Sequence, residues 1–385
     1  MYIIAGFCQF RKYLNRRRKI NLNSPEFIQT SLAAAISLGL EHGSFKEPVT
    51  LTGLNLLLTY EDGCIGRCSY CGISGLRQGK PGIFSENNSN DQRSRKNCKN
   101  PGTFIRVKWP VYRLEEILEK LIRHEDRFKR VCISMITHRN AVRDTIFITE
   151  KIKNVSNLPL SLLISPTVIH SKKTLEQFRD AGAEMIGVAI DAASRQIFKK
   201  YRGTGVHGPH NWEKYWRVLK WAVDLFGEFK TGIHLIVGLG ETEKEAVEII
   251  FRAHKSGAKT HLFSFYPEAC TGLADSGPPD LLKYRRVQIA RFLINERNLD
   301  ISEIEFDNKA NISSFNYDLA ELLKDGYAFM TSGCPCRDSE QISACNRPFA
   351  NERPSEAFRN YPYVPDTEDL KTIEKQIADI NCTVK

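Results

Sequence analysis

The sequence predicts an α/β fold in which eight parallel strands alternate with helices and close into a barrel. Eight short apolar runs with β-forming residues follow one another from residue 54 onward. Between them lie longer stretches whose apolar residues recur at helical spacing. Alternating strands and helices form parallel sheets, and eight such strands are the number that closes a barrel.

Each predicted strand is a run of five to seven residues. In order, the runs are LNLLLTY at 54–60, RVCISMI at 130–136, PLSLLIS at 159–165, EMIGVAI at 184–190, GIHLIVG at 232–238, THLFSFY at 260–266, SEIEF at 302–306 and YAFMT at 327–331. The predicted helices fall between them, at 113–124, 141–154, 171–182, 209–226, 242–257, 280–297 and 315–325. A start signal at Ser24-Pro25-Glu26, followed by Leu32, Ile36 and Leu40, predicts a further helix over 24–42.

The chain divides into three predicted parts. Residues 1–50 form a basic arm and a helix, residues 51–331 form the barrel, and residues 332–385 form a cysteine-bearing extension. Within the barrel, residues 77–103 are polar and lack periodicity, so we expect a mobile insertion there.

Composition excludes several classes of protein. The 385 residues are 42% hydrophobic, which is enough for a packed core, and no uninterrupted apolar stretch is long enough to cross a membrane. The net charge of +10 is concentrated at 11–19 and 77–108, which indicates solvated tails and not a nucleic-acid-binding face. Eleven cysteines in a chain of this size favour metal or redox chemistry in a reducing compartment, so we expect a cytoplasmic protein.

Three cysteines directly follow the first predicted strand. Cys64, Cys68 and Cys71 have the spacing C-x3-C-x2-C. Three thiolates can hold three irons of a [4Fe–4S] cluster and leave the fourth iron open to a substrate. A structural zinc site would normally use four protein ligands, and no fourth cysteine or histidine lies nearby in the sequence.

This triad, with Tyr70 before its last cysteine, resembles the signature of the radical S-adenosylmethionine (SAM) superfamily. The resemblance covers residues 50–330 and implies a TIM-barrel-like fold. It also implies that the open iron binds SAM and that an electron, from a reductant such as ferredoxin or flavodoxin, yields a 5′-deoxyadenosyl radical. The cofactor then supplies the hard chemistry, and we assign no catalytic side chain.

Two strand ends carry further candidate cofactor contacts. The segment around Gly238, Gly240 and Glu241 is similar to the VGLGET turn of biotin and lipoyl synthases, which implies contact with the adenine side of SAM. Asp191 resembles the acidic residue near the SAM ribose in sulfur-inserting relatives. The alternatives are a purely structural turn for the first segment and a helix cap for Asp191.

A second set of cysteines follows the last predicted strand: Cys334, Cys336 and Cys345. In a closed barrel the eighth strand lies beside the first, so this set should lie over the same mouth as the first triad. We expect an auxiliary [4Fe–4S] cluster there. A zinc site that also uses Cys382, or unliganded thiols, are the alternatives.

The same resemblance distinguishes between sulfur-inserting enzymes. Cys132 lies where biotin synthase places a ligand of its inner cluster, but the third and fifth strands lack the cysteines that would complete it. The segment CNRPFANERPS at 345–355 looks more like a component of two-protein lipoyl synthases. This implies sulfur insertion into an octanoyl chain, with a second radical SAM component and an octanoylated lipoyl-carrier protein as partners. Another radical SAM reaction whose second cluster relays electrons or binds substrate, or a non-enzymatic iron–sulfur or zinc scaffold, remains the alternative.

Overall fold

The computed structural model describes residues 21–75, 103–104, 107–348 and 356–382. The basic arm at 1–20 and the predicted insertion, apart from Thr103, lie outside these residues.

Six parallel strands form the centre of the molecule. They are β2 (Gly53–Leu58), β6 (Arg130–Ser134), β7 (Leu160–Ile164), β8 (Met185–Asp191), β9 (Thr231–Val237) and β10 (Ala258–Ser264). Each strand pairs with the next in sequence order, so the sheet is that of a partial barrel. All six residues of β2 are buried, as expected for a parallel strand covered on both faces. The first six predicted strands are therefore confirmed.

Helices return the chain between these strands. They are α2 (Leu114–His124), α3 (Ala141–Lys153), α4 (Lys172–Asp180), α5 (Arg195–Tyr201), α6 (Trp212–Phe226), α7 (Glu243–Lys255) and α8 (Leu281–Arg297). Most bury one apolar stripe against the sheet. No helix among the described residues is long and apolar enough to cross a membrane.

The predicted helix over 24–42 is a strand followed by a shorter helix. The strand β1 (Phe27–Thr30) pairs antiparallel with β2, and the edge strand β5 (Val111–Arg113) pairs with β1. The helix α1 (Leu32–Ser37) begins after Ser31, whose side chain accepts a hydrogen bond from the Ala34 amide. The short β3 (Thr103–Phe104) and β4 (Val107–Lys108) form a separate ribbon.

The seventh and eighth predicted barrel strands are wrong. Within 302–306, β11 (Ile304–Phe306) turns back and pairs antiparallel with β12 (Ile312–Phe315). Asp307 closes this turn by accepting hydrogen bonds from the Lys309 and Asn311 amides. Residues Tyr327–Phe329 form a 3₁₀ turn, and so do Leu319–Leu323 of the predicted last helix. A parallel strand needs a long crossover connection, and neither turn provides one.

The C-terminal extension packs under the N-terminal ends of the strands. The hairpin of β13 (Pro335–Cys336) and β14 (Ser339–Ser343) lies beside β6, where Arg130 Nε donates to the Pro335 carbonyl over 2.8 Å. Thr52 donates to the Ala344 carbonyl over 3.0 Å. Beyond it, the helix α9 (Thr367–Ile377) packs on α8, and β15 (Asn381–Cys382) joins β12. The extension therefore covers the end of the barrel opposite the strand carboxyl termini.

Gly53→Ala tests this contact. A Cβ at Gly53 would lie 2.5 Å from the Ala344 carbonyl oxygen, so the extension would have to shift. We expect the free energy of unfolding to fall by about 1–3 kcal/mol, measured by chemical denaturation. The control is Gly277→Ala, where nothing lies within 4 Å of the added atom. Equal stability of the two variants would contradict the close contact.

Candidate functional site

The first three cysteines lie on a loop that follows β2 and is held by backbone hydrogen bonds. The Ile65 amide donates to Thr137 after β6, and the Ser69 amide donates to Tyr201 at the end of α5, over 2.9 and 2.8 Å. Cys64, Cys68 and Cys71 are free thiols lining a cavity of about 200 Å³ at the carboxyl ends of the strands. The loop therefore brings all three sulfurs to the face where barrel enzymes carry out their chemistry.

Burial keeps two of these thiols, Cys68 and Cys71, protonated when no metal is bound. It raises the pKa of Cys68 to about 11 and raises the pKa of Cys71 well above its ordinary value. A bound metal replaces those protons, because metal-bound sulfur is thiolate. The cavity wall contains no fourth cysteine among the described residues. The donor set fits a cluster held at three irons with one iron open.

Tyr70 and Asp191 meet at the same cavity, and their predicted contact with the cofactor stays a prediction. The Tyr70 hydroxyl donates to the Asp191 carboxylate over 2.7 Å, and buried Arg202 pairs with the same carboxylate at 2.7 Å. Arg202 also donates to the carbonyls of Ala189 and Ile190 at the end of β8. Asp191 has a φ of 66°, an uncommon backbone conformation for a residue with a side chain. Two side chains therefore fix the orientation of this carboxylate at the cavity edge.

Arg202 is a site residue that the sequence did not identify. Its guanidinium lies over the rings of Phe198 and Tyr215, each at 5.0 Å, and acts electrostatically to lower the pKa of Cys68, against the larger effect of burial. Nothing in the local sequence distinguishes it from other basic residues on the helices. Only the fold, which returns the end of α5 to the cysteine loop, reveals it.

The predicted turn at 238–241 lies outside the cavity wall. The buried Glu241 carboxylate closes the turn itself, accepting from the Gly238 and Leu239 amides over 2.7 and 2.9 Å. Gly238 has a φ of 111°, and a Cβ there would meet Pro279 at 2.8 Å. The conformation of the turn therefore has a structural explanation, and contact of Gly238, Gly240 or Glu241 with SAM stays a prediction.

The second cysteine set lies at the opposite end of the barrel from the first, so the prediction of a shared mouth is wrong. That prediction required an eighth strand beside the first, whereas the chain at 331–348 passes beneath the strands. Cys334 and Cys345 line a cavity of about 110 Å³ together with Cys132 of β6. Asn55 of β2 donates to the Cys345 sulfur over 3.5 Å.

The cysteines at this end differ from those predicted in one position. Cys336 does not line the cavity with Cys334 and Cys345; its neighbours include Thr52, Lys129 and Asp338. Cys132 lines the cavity instead. Burial raises the pKa of Cys132, and the neighbouring Cys345 and Cys334 raise it further. We call Cys132, Cys334 and Cys345 the inner thiol set. Cys132 is far in sequence from Cys334 and Cys345, so cysteine spacing could not place it in this set.

The inner thiol set lies among positive charges. Arg130 and Arg347 line its cavity, and none of the described residues in that wall is an Asp or Glu. Arg347 is 8% exposed, lies 3.8 Å over the Phe263 ring and leaves its Nε without a hydrogen-bond partner. A buried guanidinium without a carboxylate is costly unless an anion lies nearby. The cavity therefore suits a negatively charged group.

The two cavities are neighbours inside the barrel and share part of their walls. Ser134, Leu163, His234 and Phe263 line both of them. Burial lowers the pKa of His234 well below its ordinary value and that of His261 to about 3, so both imidazoles are neutral.

No three His, Cys, Asp or Glu side chains in the described ranges converge on one metal ion. A cubane spreads its ligands over separate irons, so such convergence is not required of it.

A partial parallel barrel with a three-thiol loop after its first strand defines an iron–sulfur enzyme of the α/β class. The profile of the Radical SAM superfamily matches residues 59–253, just over half of the chain. The chain belongs to the radical SAM superfamily, whose typical cofactors are a [4Fe–4S] cluster and SAM.

Solved structures of radical SAM enzymes show distant similarity. Methylornithine synthase (PylB) is 15% identical with a TM-score of 0.41, over 68% of this chain and 67% of that one. The radical SAM methyltransferase TsrM from Kitasatospora setae, with tryptophan and a SAM analogue bound, is 12% identical with a TM-score of 0.36. That match covers 58% of this chain and only 38% of TsrM. No curated protein matches the chain.

Replacing any one cysteine of the first loop by alanine should abolish SAM cleavage, because the cluster loses an iron ligand. We expect 5′-deoxyadenosine, measured by liquid chromatography after reduction with SAM, to fall at least a hundredfold in Cys64→Ala, Cys68→Ala and Cys71→Ala. Cys336→Ala, outside both cavities, is the control. Undiminished 5′-deoxyadenosine from any of the three would contradict the assignment.

Asp191→Asn tests the carboxylate at the cavity edge. The amide loses the charge that pairs with Arg202 and with it an acceptor for a ribose hydroxyl. We expect SAM affinity, measured by equilibrium dialysis, to fall about tenfold while the visible absorbance of the cluster stays. Asp180→Asn on exposed α4 should bind SAM like the wild type. Wild-type affinity in folded Asp191→Asn would leave Asp191 a purely structural role.

Proposed function

We propose that this radical SAM enzyme is a lipoyl-synthase-like sulfurtransferase that inserts sulfur into an octanoyl chain carried on a protein. The observation that carries the proposal is the pair of thiol sets in two neighbouring cavities that share wall residues; we call the two cavities together the passage. The first set suits the SAM-binding cluster, and the inner thiol set suits an auxiliary [4Fe–4S] cluster.

The passage fits an alkyl chain. Most of its wall is apolar, including Leu57, Ile136, Leu163, Ile164, Ile236 and Phe263. These side chains give a hydrocarbon a favourable environment and exclude water from it. An alkyl chain lying along the passage would bring its carbons near the first thiol set and near the inner thiol set.

The two cofactors would act on this chain from its two sides. When bound, they supply abstraction of a hydrogen atom by the 5′-deoxyadenosyl radical and formation of a carbon–sulfur bond with a cluster sulfide, the odd electron passing to iron of that cluster. The side chains of the passage would have to hold the carbon within near-attack distance of that sulfide, about 3–3.5 Å. Tyr70 and Arg202 hold Asp191 toward the SAM side.

The charges around the inner thiol set support an anionic cluster there. Three cysteine thiolates and the sulfides of a cubane give a net negative charge, which Arg130 and Arg347 would offset. The proposed partners are a second radical SAM component, an octanoylated lipoyl-carrier protein and a reductant such as ferredoxin or flavodoxin. Loss of cluster sulfide with each insertion would require that the cluster be rebuilt after turnover.

Alanine variants of the inner thiol set test the proposal. Anaerobically reconstituted wild-type protein should hold about eight irons, two cubanes of four, and Cys132→Ala, Cys334→Ala or Cys345→Ala about half. Each variant should still form 5′-deoxyadenosine but make no thiolated product from an octanoylated lipoyl-domain peptide, measured by mass spectrometry with and without a candidate second component.

Cys336→Ala is the matched control and should keep both the iron and the product. A variant that loses iron yet still makes thiolated product would contradict sulfur donation and favour electron relay. Full iron content in Cys132→Ala, with loss in Cys336→Ala, would contradict the proposed ligand set.

A further inference from the structure

A third cavity among the described residues is lined by none of the cysteines of either thiol set. Its volume is about 390 Å³, within the usual range of small-molecule sites. The starts of β8, β9 and β10 form one side, at Met185, Thr231 and Lys259. The end of α8 and the segment after Met330 form the other, at Arg291 and Gly333. The cavity therefore opens at the N-terminal end of the barrel.

Arg291 is the unusual residue in this wall. It is 5% exposed, and within the part of the chain that the structure describes its Nε has no hydrogen-bond partner and its one ion pair is a long contact of 3.8 Å to Glu296. Arg285, one and a half turns earlier on the same helix, is also buried but donates to Gln288, Gln376 and two backbone carbonyls. Helix α8 thus carries two buried arginines. The guanidinium of Arg285 has its hydrogen-bond acceptors, whereas that of Arg291, which lies beside the cavity, lacks them among the described residues.

Other groups in this wall also lack partners. The hydroxyls of Thr231 and Thr260 are buried without hydrogen bonds, although buried polar groups are nearly always satisfied. Glu296 is already occupied by Lys259 at 2.7 Å, so it offsets little of the charge of Arg291. Both hydroxyls are closed to solvent, so a ligand in the cavity would bond to Arg291, whose side chain is 7% exposed.

The wall as a whole is slightly positive. Its basic residues are Lys230, Lys259, Arg291 and Arg297, and its acidic residues are Glu228, Glu296 and Glu340. Lys230 and Arg297 are exposed, whereas Arg291 lies at depth. Positive charge at the rim attracts an anion, and a guanidinium at depth binds oxyanions through paired N–H donors.

We propose that this cavity is a binding site for a small ligand with a carboxylate or phosphate group, which Arg291 recognises. The proposal does not depend on sulfur insertion. The site adjoins the inner thiol set: Ser332, Gly333 and Pro335 line it, on either side of Cys334, and His261 lines both cavities. A bound ligand would therefore also order the segment that carries Cys334.

The test uses the anaerobically purified full-length protein and two probes, inorganic phosphate and succinate, at constant ionic strength. Isothermal titration calorimetry should show binding of at least one probe to the wild type, with a Kd at least tenfold weaker in Arg291→Met. The probe that binds identifies the oxyanion. Hydrogen exchange of residues 331–343 should slow in its presence.

The two buried arginines give opposite expectations for stability. Replacing an undercompensated buried charge with an apolar side chain is neutral or stabilising, so unliganded Arg291→Met should melt at or above the wild-type temperature. Arg285→Met breaks a satisfied network and should melt several degrees lower while binding the probe normally. No binding of either probe up to 50 mM, or equal affinity in wild type and Arg291→Met, would overturn the proposal.

Discussion

The side chain of Asn346 holds the C-terminal segment against the barrel, and the inner thiol set depends on it. This buried amide donates to the carbonyls of Thr50 and Pro362, and its oxygen accepts from the Thr52 amide. The hydrogen bonds join the start of β2 to the residue next to Cys345. Without them, Cys345 would have no fixed place beside Cys132. The hydrogen bonds of Asn346 thus help to hold Cys345 near Cys132, although the two cysteines are 213 positions apart in the chain.

Buried cations are the common electrostatic feature of the two thiol sets. Arg202 lies beside the first set and is paired with Asp191, whereas Arg130 and Arg347 lie beside the inner set without a carboxylate. Taking a cation out of water costs several kcal/mol unless an anion compensates for it. Beside the first set, Asp191 already compensates for the charge of Arg202. Beside the inner thiol set, a negatively charged ligand would have to compensate for Arg130 and Arg347.

Local sequence patterns predicted the parts of the fold that local physics determines. The first six strands lie within two residues of their predicted bounds at every end, because each is a mostly apolar run of β-forming residues between turn signals. The apolar residues of the runs at 302–306 and 327–331 also predict strands, but the partners of these runs depend on tight turns at Asp307 and Gly326 and on packing far away in the chain. The pattern of apolar residues alone does not determine which partner each of these two runs takes.

The functional site likewise has residues that the sequence predicts and residues that it does not. Cys64, Cys68, Cys71 and Tyr70 are close in sequence, so their spacing carries the chemistry. Arg202, Arg347 and the substitution of Cys132 for Cys336 in the inner thiol set arise from contacts between distant segments. No single-sequence signal identifies the two arginines, although CNRPF at 345–349 contains Arg347. The resemblance to biotin synthase did single out Cys132, but not its place beside Cys334 and Cys345.

The most direct measurement of the central claim is X-ray diffraction at the iron absorption edge from crystals of the reconstituted protein. Two clusters at opposite ends of one passage predict two anomalous peaks, one beside Cys64, Cys68 and Cys71 and one among Cys132, Cys334 and Cys345. A second peak at the carboxyl ends of the strands, or a single peak in protein that binds about eight irons in solution, would contradict it.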